Sequence, residues 1–551
     1  MDGMHKASQT SEPARGAQSK QPVRCAATKH RAMRPIDIDA YYQAVCTKDS
    51  TFDGYFFVGV SSTGIYCRPI CRVKTPKQQH CRFFSIAAQA EAAGFRPCMR
   101  CRPELAPADR YWSSEDASDI LARKAASIID GAKQHDGSPK RSASSMTDIA
   151  NLLGISDRHL RRVFENYWGV SPLQYRQTQR LLRAKQLLVD SQLPISRVAA
   201  LAGFSSLRRF NDSFHNHYRL SPSKLRANNA NERTGSPDHS ITLRLDYRPP
   251  FDVQAMLNFW RIRSLNNLEL IGAHDLFRTL AIVHPASPSR HLVGWVHCCF
   301  DPLRPLLSLT ISESLLPAIH GLVGIVRAAF DLDADPALID ASLSTDFPAS
   351  AGLRLPGAFD GFELAVRAVI GQQVSVAAAR TFAQRIVDRF GTRLRLVSPP
   401  HQLLDTNKPK LEQLRLFPRP QILAQASSDA LGALGIVRQR QVAIVSLAKA
   451  MVSGAIRLDP VGDDKQAVRQ TVQQLCDLPG FGEWTAQYIA MRALKYSDAL
   501  PAGDVALHRA LGLHGEVLAK RQTLERSKAW MPWRSYAVIR AWHSLAQAAS
   551  S

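Results

Sequence analysis

The sequence predicts a multidomain, mainly α protein. Its expected parts are a small α+β domain around a cysteine-rich metal site, a duplicated helix-turn-helix domain, an antiparallel α+β domain and an all-α domain built on a helix-hairpin-helix. Three observations predict it. At 551 residues the chain is too long for one hydrophobic core and should divide into roughly three to five domains. Phe164-Glu-Asn166-Tyr-Trp-Gly-Val-Ser171-Pro172 reappears as Phe214-His-Asn216-His-Tyr-Arg-Leu-Ser221-Pro222 at an offset of 50 residues, which marks a duplicated supersecondary unit. Leu478-Pro479-Gly480-Phe481-Gly482 reads as a tight turn between two helices, and Asp504 follows one helix later. The expected boundaries are 1–35, 36–106, 117–228, 241–347 and 348–548.

Net charge is +23 and unevenly spread: residues 1–250 carry 38 basic and 22 acidic side chains, residues 251–551 carry 32 and 25. Such a balance implies a polyanionic partner held at several places. No stretch approaches the 18 or more apolar residues of a membrane span, and MDGMHKASQTSEPARG lacks the apolar core of a signal peptide. The expectation is therefore no membrane partner and a cytoplasmic, nucleoid-associated protein of bacterial type. In a reducing compartment the ten cysteines are not expected to form disulfides.

Residues 1–35, rich in Ser, Gln, Lys and Arg with almost no apolar periodicity, read as a disordered basic tail. The next segment holds Cys67, Cys71, Cys98 and Cys101, two close pairs on turns rich in Arg and Pro. That spacing is a four-thiolate site for one Zn2+, with Cys25, Cys46 and Cys81 left outside it. By spacing alone the site is either a structural knuckle or a reactive centre.

The flanking motifs decide between these by resemblance. Ser62-Thr63-Gly64-Ile65-Tyr66-Cys67-Arg68-Pro69-Ile70-Cys71 and Gly94-Phe95-Arg96-Pro97-Cys98-Met99-Arg100-Cys101 resemble the N-terminal domain of the Ada methylation-response proteins. The resemblance implies that Cys67 irreversibly takes a methyl group from a methyl phosphotriester in DNA. A zinc-held thiol is a thiolate at neutral pH and needs no base. Arg68, Arg72, Lys74, Arg96, Arg100 and Arg102 are expected to supply a positive field around it. Methylation would take the centre from a formal charge near −2 to one near −1, weakening its repulsion of phosphates.

Each copy of the repeat has a short apolar-periodic helix, a glycine turn at Gly154 or Gly203, a serine cap at Ser156 and at Ser205 or Ser206, and a basic helix. The recognition helices carry Arg158, His159, Arg161 and Arg162 in the first copy and Arg208, Arg209 and Asn211 in the second. The duplicated form with Ser-Pro closing each unit resembles the AraC-type DNA-binding domain. This implies promoter DNA as a partner and RNA polymerase as the activator's target. A polar linker, 228–240, then leads to the alternating segments ITLRLDYRPPFD, HLVGWVHCCF and LLSLTI, which read as strands of a small antiparallel sheet.

In the last domain, amides left free where a helix follows the glycine turn suit an anionic oxygen. Trp484 and Tyr488, four residues apart, share one helix face. Asp504 sits near a helix N-terminus whose dipole favours its ionised form. Together with Arg354 to Arg380 and Pro532 to Trp542, this stretch resembles the helix-hairpin-helix DNA glycosylases, and most closely the AlkA-type alkyladenine glycosylases, over roughly residues 241 to 548.

The resemblance implies that Gly480 and Gly482 grip the DNA backbone, that Trp484, Tyr488 and Trp542 line a pocket for N-alkylated bases, and that Asp504 is catalytic. Gln372 and Gln373 fall at the wedge that fills the gap left by a flipped base, Gln373 standing where that family has an apolar residue. Trp530, Trp533 and Tyr536 are expected to be structural. Lyase-competent members of the superfamily place a Schiff-base lysine just after the hairpin; Glu483-Trp484 stand here, so a monofunctional glycosylase is expected. No PCHR motif occurs, so reversal of O6-methylguanine is not expected. The overall expectation is a methylation-sensing transcriptional activator, acting as a monomer, fused to a 3-methyladenine-type glycosylase. The alternative is a regulator whose C-terminal half is an inactive DNA clamp; such a clamp needs the hairpin but not Asp504.

Overall fold

The structure is a computed structural model, describing residues 38–107, 117–130, 145–228, 239–394, 413–462 and 464–548. The expected basic tail and Cys25 lie outside the described residues.

The first sheet is formed by β1 (Phe57–Val60), β2 (Ile65–Cys67), β3 (Cys81–Phe84) and β4 (Arg96–Pro97) in the order β3-β1-β2-β4. These are short apolar and aromatic runs that suit a half-buried pleated surface. Gly59 is required in β1, because a Cβ there would meet the Phe84 ring at 2.8 Å and the Phe95 ring at 3.1 Å. β2 runs parallel to β4, with Tyr66 opposite Pro97. That pairing sets the two cysteine turns side by side, and the Cys98 amide donates to the Tyr66 carbonyl at 2.9 Å.

The repeat folds as two helix-turn-helix units joined by the 19-residue helix Pro172–Asp190. Ser156 caps Asp157–Trp168 by accepting from the His159 amide at 3.3 Å, and Ser206 caps Leu207–Tyr218 by accepting from the Arg209 amide at 3.2 Å. The second cap is therefore Ser206 rather than Ser205. The 50-residue offset persists in the packing. Leu160 and Phe164 of one unit are buried, as are Phe210 and Phe214 of the other. Each recognition helix ends on a left-handed residue, Gly169 at φ 67° and Arg219 at φ 55°.

The second sheet is antiparallel throughout, with β5 (Ser240–Asp246), β6 (Glu269–Ile271), β7 (Asp275–His284), β8 (Ser287–Phe300) and β9 (Leu306–Ser312) in the order β5-β9-β8-β7-β6. Its core is continuous with the second helix-turn-helix unit: Leu181, Phe210 and Phe214 belong to the same buried cluster as Leu243 and Leu309. Glu313–Phe330 is long and apolar enough to cross a membrane, which the sequence reading did not anticipate. Leu315, Leu316, Ile319, Leu322, Val326 and Phe330 along it are all buried, and they belong to this sheet's core cluster. Cys298 packs in that core, whereas its neighbour Cys299 is only half-buried.

The C-terminal helices share one large core containing Phe362, Val369, Ile444, Leu447, Ile489, Leu507 and Val538. The hairpin joins Lys465–Cys476 to Glu483–Arg492. Thr485, Ala486, Ile489, Ala490 and Met491 of the second helix are fully buried, whereas Trp484 and Tyr488 keep partial access to a cavity. Trp530, Trp533 and Tyr536 are buried in the core, as expected for structural aromatics.

Candidate active site and metal centre

A cavity of about 480 Å³ opens between the sheet domain and the C-terminal helices. Trp484, Tyr488, Asp504 and Trp542 line it together. Asp504 is the N-cap of Val505–Ala510, Oδ1 accepting from the Leu507 amide at 2.7 Å. The same oxygen accepts from the Trp542 indole N–H at 2.8 Å, and Oδ2 accepts from the Trp484 indole N–H at 2.9 Å. One carboxylate thus receives three neutral N–H donors and, among the described residues, no ion pair. Only 7 % of the residue is exposed.

Trp484 and Tyr488 are stacked, ring centroids 5.4 Å apart and 12° from parallel, and Trp542 tilts toward Tyr488 at 6.2 Å. The i,i+4 spacing on one helix makes the first pair; the second needs the final helix Arg534–Ala548. Burial would raise the Tyr488 phenol, but the guanidiniums of Arg492, Arg263 and Arg367 outweigh it and hold it below the ordinary tyrosine value. Arg492 donates to its hydroxyl at 2.7 Å. Asp360 also lines the cavity; burial, and then the charge of Glu363, push its carboxyl up to about 6.

At the hairpin Gly480 has φ +82°, and a Cβ would meet the Ala443 methyl at 2.9 Å. Gly482 has open space at its Cα and caps Glu483–Arg492 with no side-chain acceptor, leaving the first amides of that helix for an external anion. Gln372 and Gln373 diverge. The Gln372 amide donates to the Gly480 carbonyl at 3.0 Å and to the Thr485 hydroxyl at 2.9 Å, tying its loop to the hairpin. Gln373 is exposed and left-handed at φ 55°.

Arg158, Arg161 and Arg162 on the first recognition helix and Arg208 and Arg209 on the second are all exposed. Burying Leu160 and Phe164, or Phe210 and Phe214, leaves the opposite helix face to these cations.

The sulfurs of Cys67, Cys71, Cys98 and Cys101 lie within 4.8 Å of one another. Four tetrahedral Zn–S bonds need sulfurs about 3.8 Å apart, and Cys71 and Cys98 are at 4.0 Å, so the group fits one Zn2+. Backbone amides support it, Arg68 N donating to Cys101 Sγ at 3.3 Å and Arg100 N to Cys98 Sγ at 3.4 Å. The expected positive field is smaller than six residues. Arg68 is buried against Asp53 and Asp246, and Arg102 against Glu104 and Asp190. A buried guanidinium needs a carboxylate more than a distant phosphate. Arg72, Lys74 and Arg100 remain exposed and Arg96 is half-buried.

Sequence reasoning missed the cavity wall contributed from upstream: Phe259 and Arg263 at the end of helix Val253–Arg261, with Arg367 and Arg492 beside them. In a chain with 70 lysines and arginines nothing local separates these arginines from solvated ones.

Four stretches match described families in chain order. Residues 40–104 match the metal binding domain of Ada, 149–228 a helix-turn-helix domain, 242–360 the AlkA N-terminal domain, and 366–534 the HhH-GPD superfamily base excision DNA repair protein. The chain is similar to the probable bifunctional transcriptional activator/DNA repair enzyme AlkA of Mycobacterium tuberculosis, at 35% identity over 517 residues, covering 92% of this chain and 97% of the relative. It is 32% identical over 301 residues to DNA-3-methyladenine glycosylase 2 of Escherichia coli, covering 54% of this chain and 96% of that one. It is 29% identical over 198 residues to the bifunctional transcriptional activator/DNA repair enzyme AdaA of Bacillus subtilis, covering 36% of this chain and 86% of the relative.

Proposed function

The chain belongs to the family of AlkA-type bifunctional transcriptional activators and DNA repair enzymes, and from that premise we propose which residues carry each half of its work. It is a DNA-3-methyladenine glycosylase joined to a zinc-containing, DNA-binding transcriptional activator. The observation that carries the assignment of the glycosylase site is the carboxylate of Asp504, held by two indole N–H groups in the wall of an aromatic cavity.

A base inside a duplex is out of reach, so the nucleotide must first turn outward. Amides at Gly480 and Gly482 hold the backbone, and Gln373, braced by Gln372, fills the gap left in the stack. An N-alkylated base, electron-poor or cationic, stacks against Trp484, Tyr488 and Trp542. As its bond to C1′ lengthens, positive charge builds on the deoxyribose. Asp504 stabilises that charge and orients the attacking water. Among the described residues no lysine lines the cavity, which supports a monofunctional enzyme that leaves an abasic site.

In the front half, zinc when bound holds the four sulfurs as thiolates. Cys67 Sγ then takes the methyl carbon of a methyl phosphotriester. A C–S bond forms, the C–O bond breaks with its electron pair on oxygen, and a phosphodiester remains. The centre loses one formal negative charge, so Arg72, Lys74 and Arg100 hold DNA more firmly. Arg158, Arg161, Arg162, Arg208 and Arg209 then engage promoter DNA, with RNA polymerase as the activator's target. The protein works as a monomer on the DNA of a bacterial-type cytoplasm. Its working divisions are those expected from the sequence, at 36–106, 117–228, 241–347 and 348–548.

The test uses methylated duplex DNA and the full chain. Wild-type protein should release 3-methyladenine, whereas Asp504→Asn should release none and still bind duplex. Mass spectrometry should find one added methyl group, on Cys67. Release by Asp504→Asn, or a methyl on another cysteine, would overturn the corresponding assignment.

A further inference from the structure

Five guanidiniums line the base cavity, and their charges are satisfied unequally: Arg278 pairs with Glu269 and Glu363, and Arg380 is exposed. Arg367 pairs with Glu363 at 2.7 Å and Glu269 at 3.4 Å. Arg492 donates to the Pro356 carbonyl at 3.0 Å, the Gly357 carbonyl at 2.9 Å and the Tyr488 hydroxyl at 2.7 Å. Arg263 has no carboxylate in ion-pair range among the described residues. It donates to the Phe259 carbonyl at 3.2 Å, lies 3.8 Å from the centroid of the Phe259 ring, and is held beside Tyr488. Burial, and then repulsion from Arg492 and Arg367, bring its guanidinium down to about 10, so it remains charged at neutral pH. Beside the carboxylates of Asp360 and Glu363, the lining therefore presents Asp504, held by two indoles, and Arg263, a half-buried cation that among the described residues has no carboxylate in range and, unlike Arg492, a single backbone carbonyl on its guanidinium.

The two charges suit different stages of bond breaking. A base that is already cationic departs as a neutral molecule and leaves its charge on the sugar, next to Asp504. A neutral base departs with the electron pair of the C1′–N bond, and negative charge spreads onto its carbonyl oxygen. Water supplies the oxygen that joins C1′, and one of its protons ends on the departed base. A donor preorganised for that oxygen acts only as charge develops. We propose that Arg263 is a specificity-determining residue, extending excision from cationic bases to neutral bases with a carbonyl acceptor by donating to that oxygen as the base leaves.

The inference rests on the glycosylase reading above, and one experiment separates the two. Full-length wild type, Arg263→Gln and Arg263→Lys are compared in single turnover on duplexes carrying hypoxanthine, a neutral carbonyl-bearing probe, or 3-methyladenine. The ratio of hypoxanthine to 3-methyladenine release should fall at least about tenfold in Arg263→Gln, the loss of one preorganised donor. Arg263→Lys, which keeps a cation, should recover part of it. Duplex binding by each variant reports that it is folded. Wild type that releases 3-methyladenine but no hypoxanthine, or a ratio unmoved by Arg263→Gln, overturns this inference alone. Wild type that releases no 3-methyladenine overturns the glycosylase reading itself.

Discussion

Trp542 donates its indole N–H to Asp504 Oδ1 at 2.8 Å, joining the final helix to the N-cap of Val505–Ala510. The same ring tilts over Tyr488, so one side chain both orients the carboxylate and walls the base cavity. Trp542→Phe keeps a ring and removes the donor. A hydrogen bond to a charged group contributes about 1.5–3 kcal/mol, so single-turnover release of 3-methyladenine should slow by roughly 10–100-fold. Trp542→Ala, which also removes the stacking face, should slow it further and weaken substrate binding.

The two hairpin glycines should respond differently to the same added methyl. Gly480→Ala puts a Cβ 2.9 Å from the Ala443 methyl at a left-handed φ of +82°, which should cost about 1–3 kcal/mol of stability. Gly482→Ala meets open space. Its melting temperature should hold while duplex affinity falls, because the methyl stands where the DNA backbone must approach. Equal melting shifts in the two variants would contradict this division.

Gln372→Ala strands the Gly480 carbonyl and Thr485 hydroxyl that its amide now serves. Denaturant melts should show a loss of about 1–3 kcal/mol. Gln373→Ala removes an exposed side chain and should leave stability within about 0.5 kcal/mol, while lowering affinity for duplex containing an abasic site.

Arg68 and Arg100 both flank the zinc cysteines, yet only one faces solvent. Arg68→Ala leaves Asp53 and Asp246 without their buried partner, and breaking such a pair costs about 3–5 kcal/mol. Arg100→Ala should leave the melting temperature unchanged and weaken binding to methylated DNA, with a shallower dependence on salt.

His320 joins the sheet domain to the helix-turn-helix units, its Nε2 donating to the Leu201 carbonyl at 2.6 Å. Burial, and then the charge of Arg183, push it down to about 3 from 6.5. Above pH 6.5 folded and unfolded imidazoles are both neutral, and this contact is at full strength. Between 6.5 and about 3 only the unfolded chain takes the proton, so stability should fall as pH drops, by at most about 1.4 kcal/mol per pH unit. His320→Gln, which can still donate, should flatten that slope in urea melts run from pH 7 to pH 5.

Much of this was legible in the chain because the signals are local. The cysteine spacing gave the zinc ligands, the 50-residue offset gave two similar units, and Trp484 and Tyr488 share a face because a helix returns every 3.6 residues. Asp504 could be placed at a helix start from Pro501-Ala502-Gly503 before it. What escaped were residues whose role depends on a partner far away. Arg68 reads like Arg100 until Asp246 is found beside it, and Gln372 reads like Gln373 until Gly480 and Thr485 are seen to take its amide.

The sequence by itself determined the order of the domains, the four sulfurs, the duplicated units and the family, because each is written in spacing over a few tens of residues. The tertiary structure decided where charge ends up. It aimed two indoles at one carboxylate, withdrew Arg68 and Arg102 from the surface, and among the described residues left Arg263 with no carboxylate in ion-pair range. The physical reason is that a charge's role depends on burial and on neighbours within a few ångströms, and in a folded chain those neighbours come from segments remote in sequence.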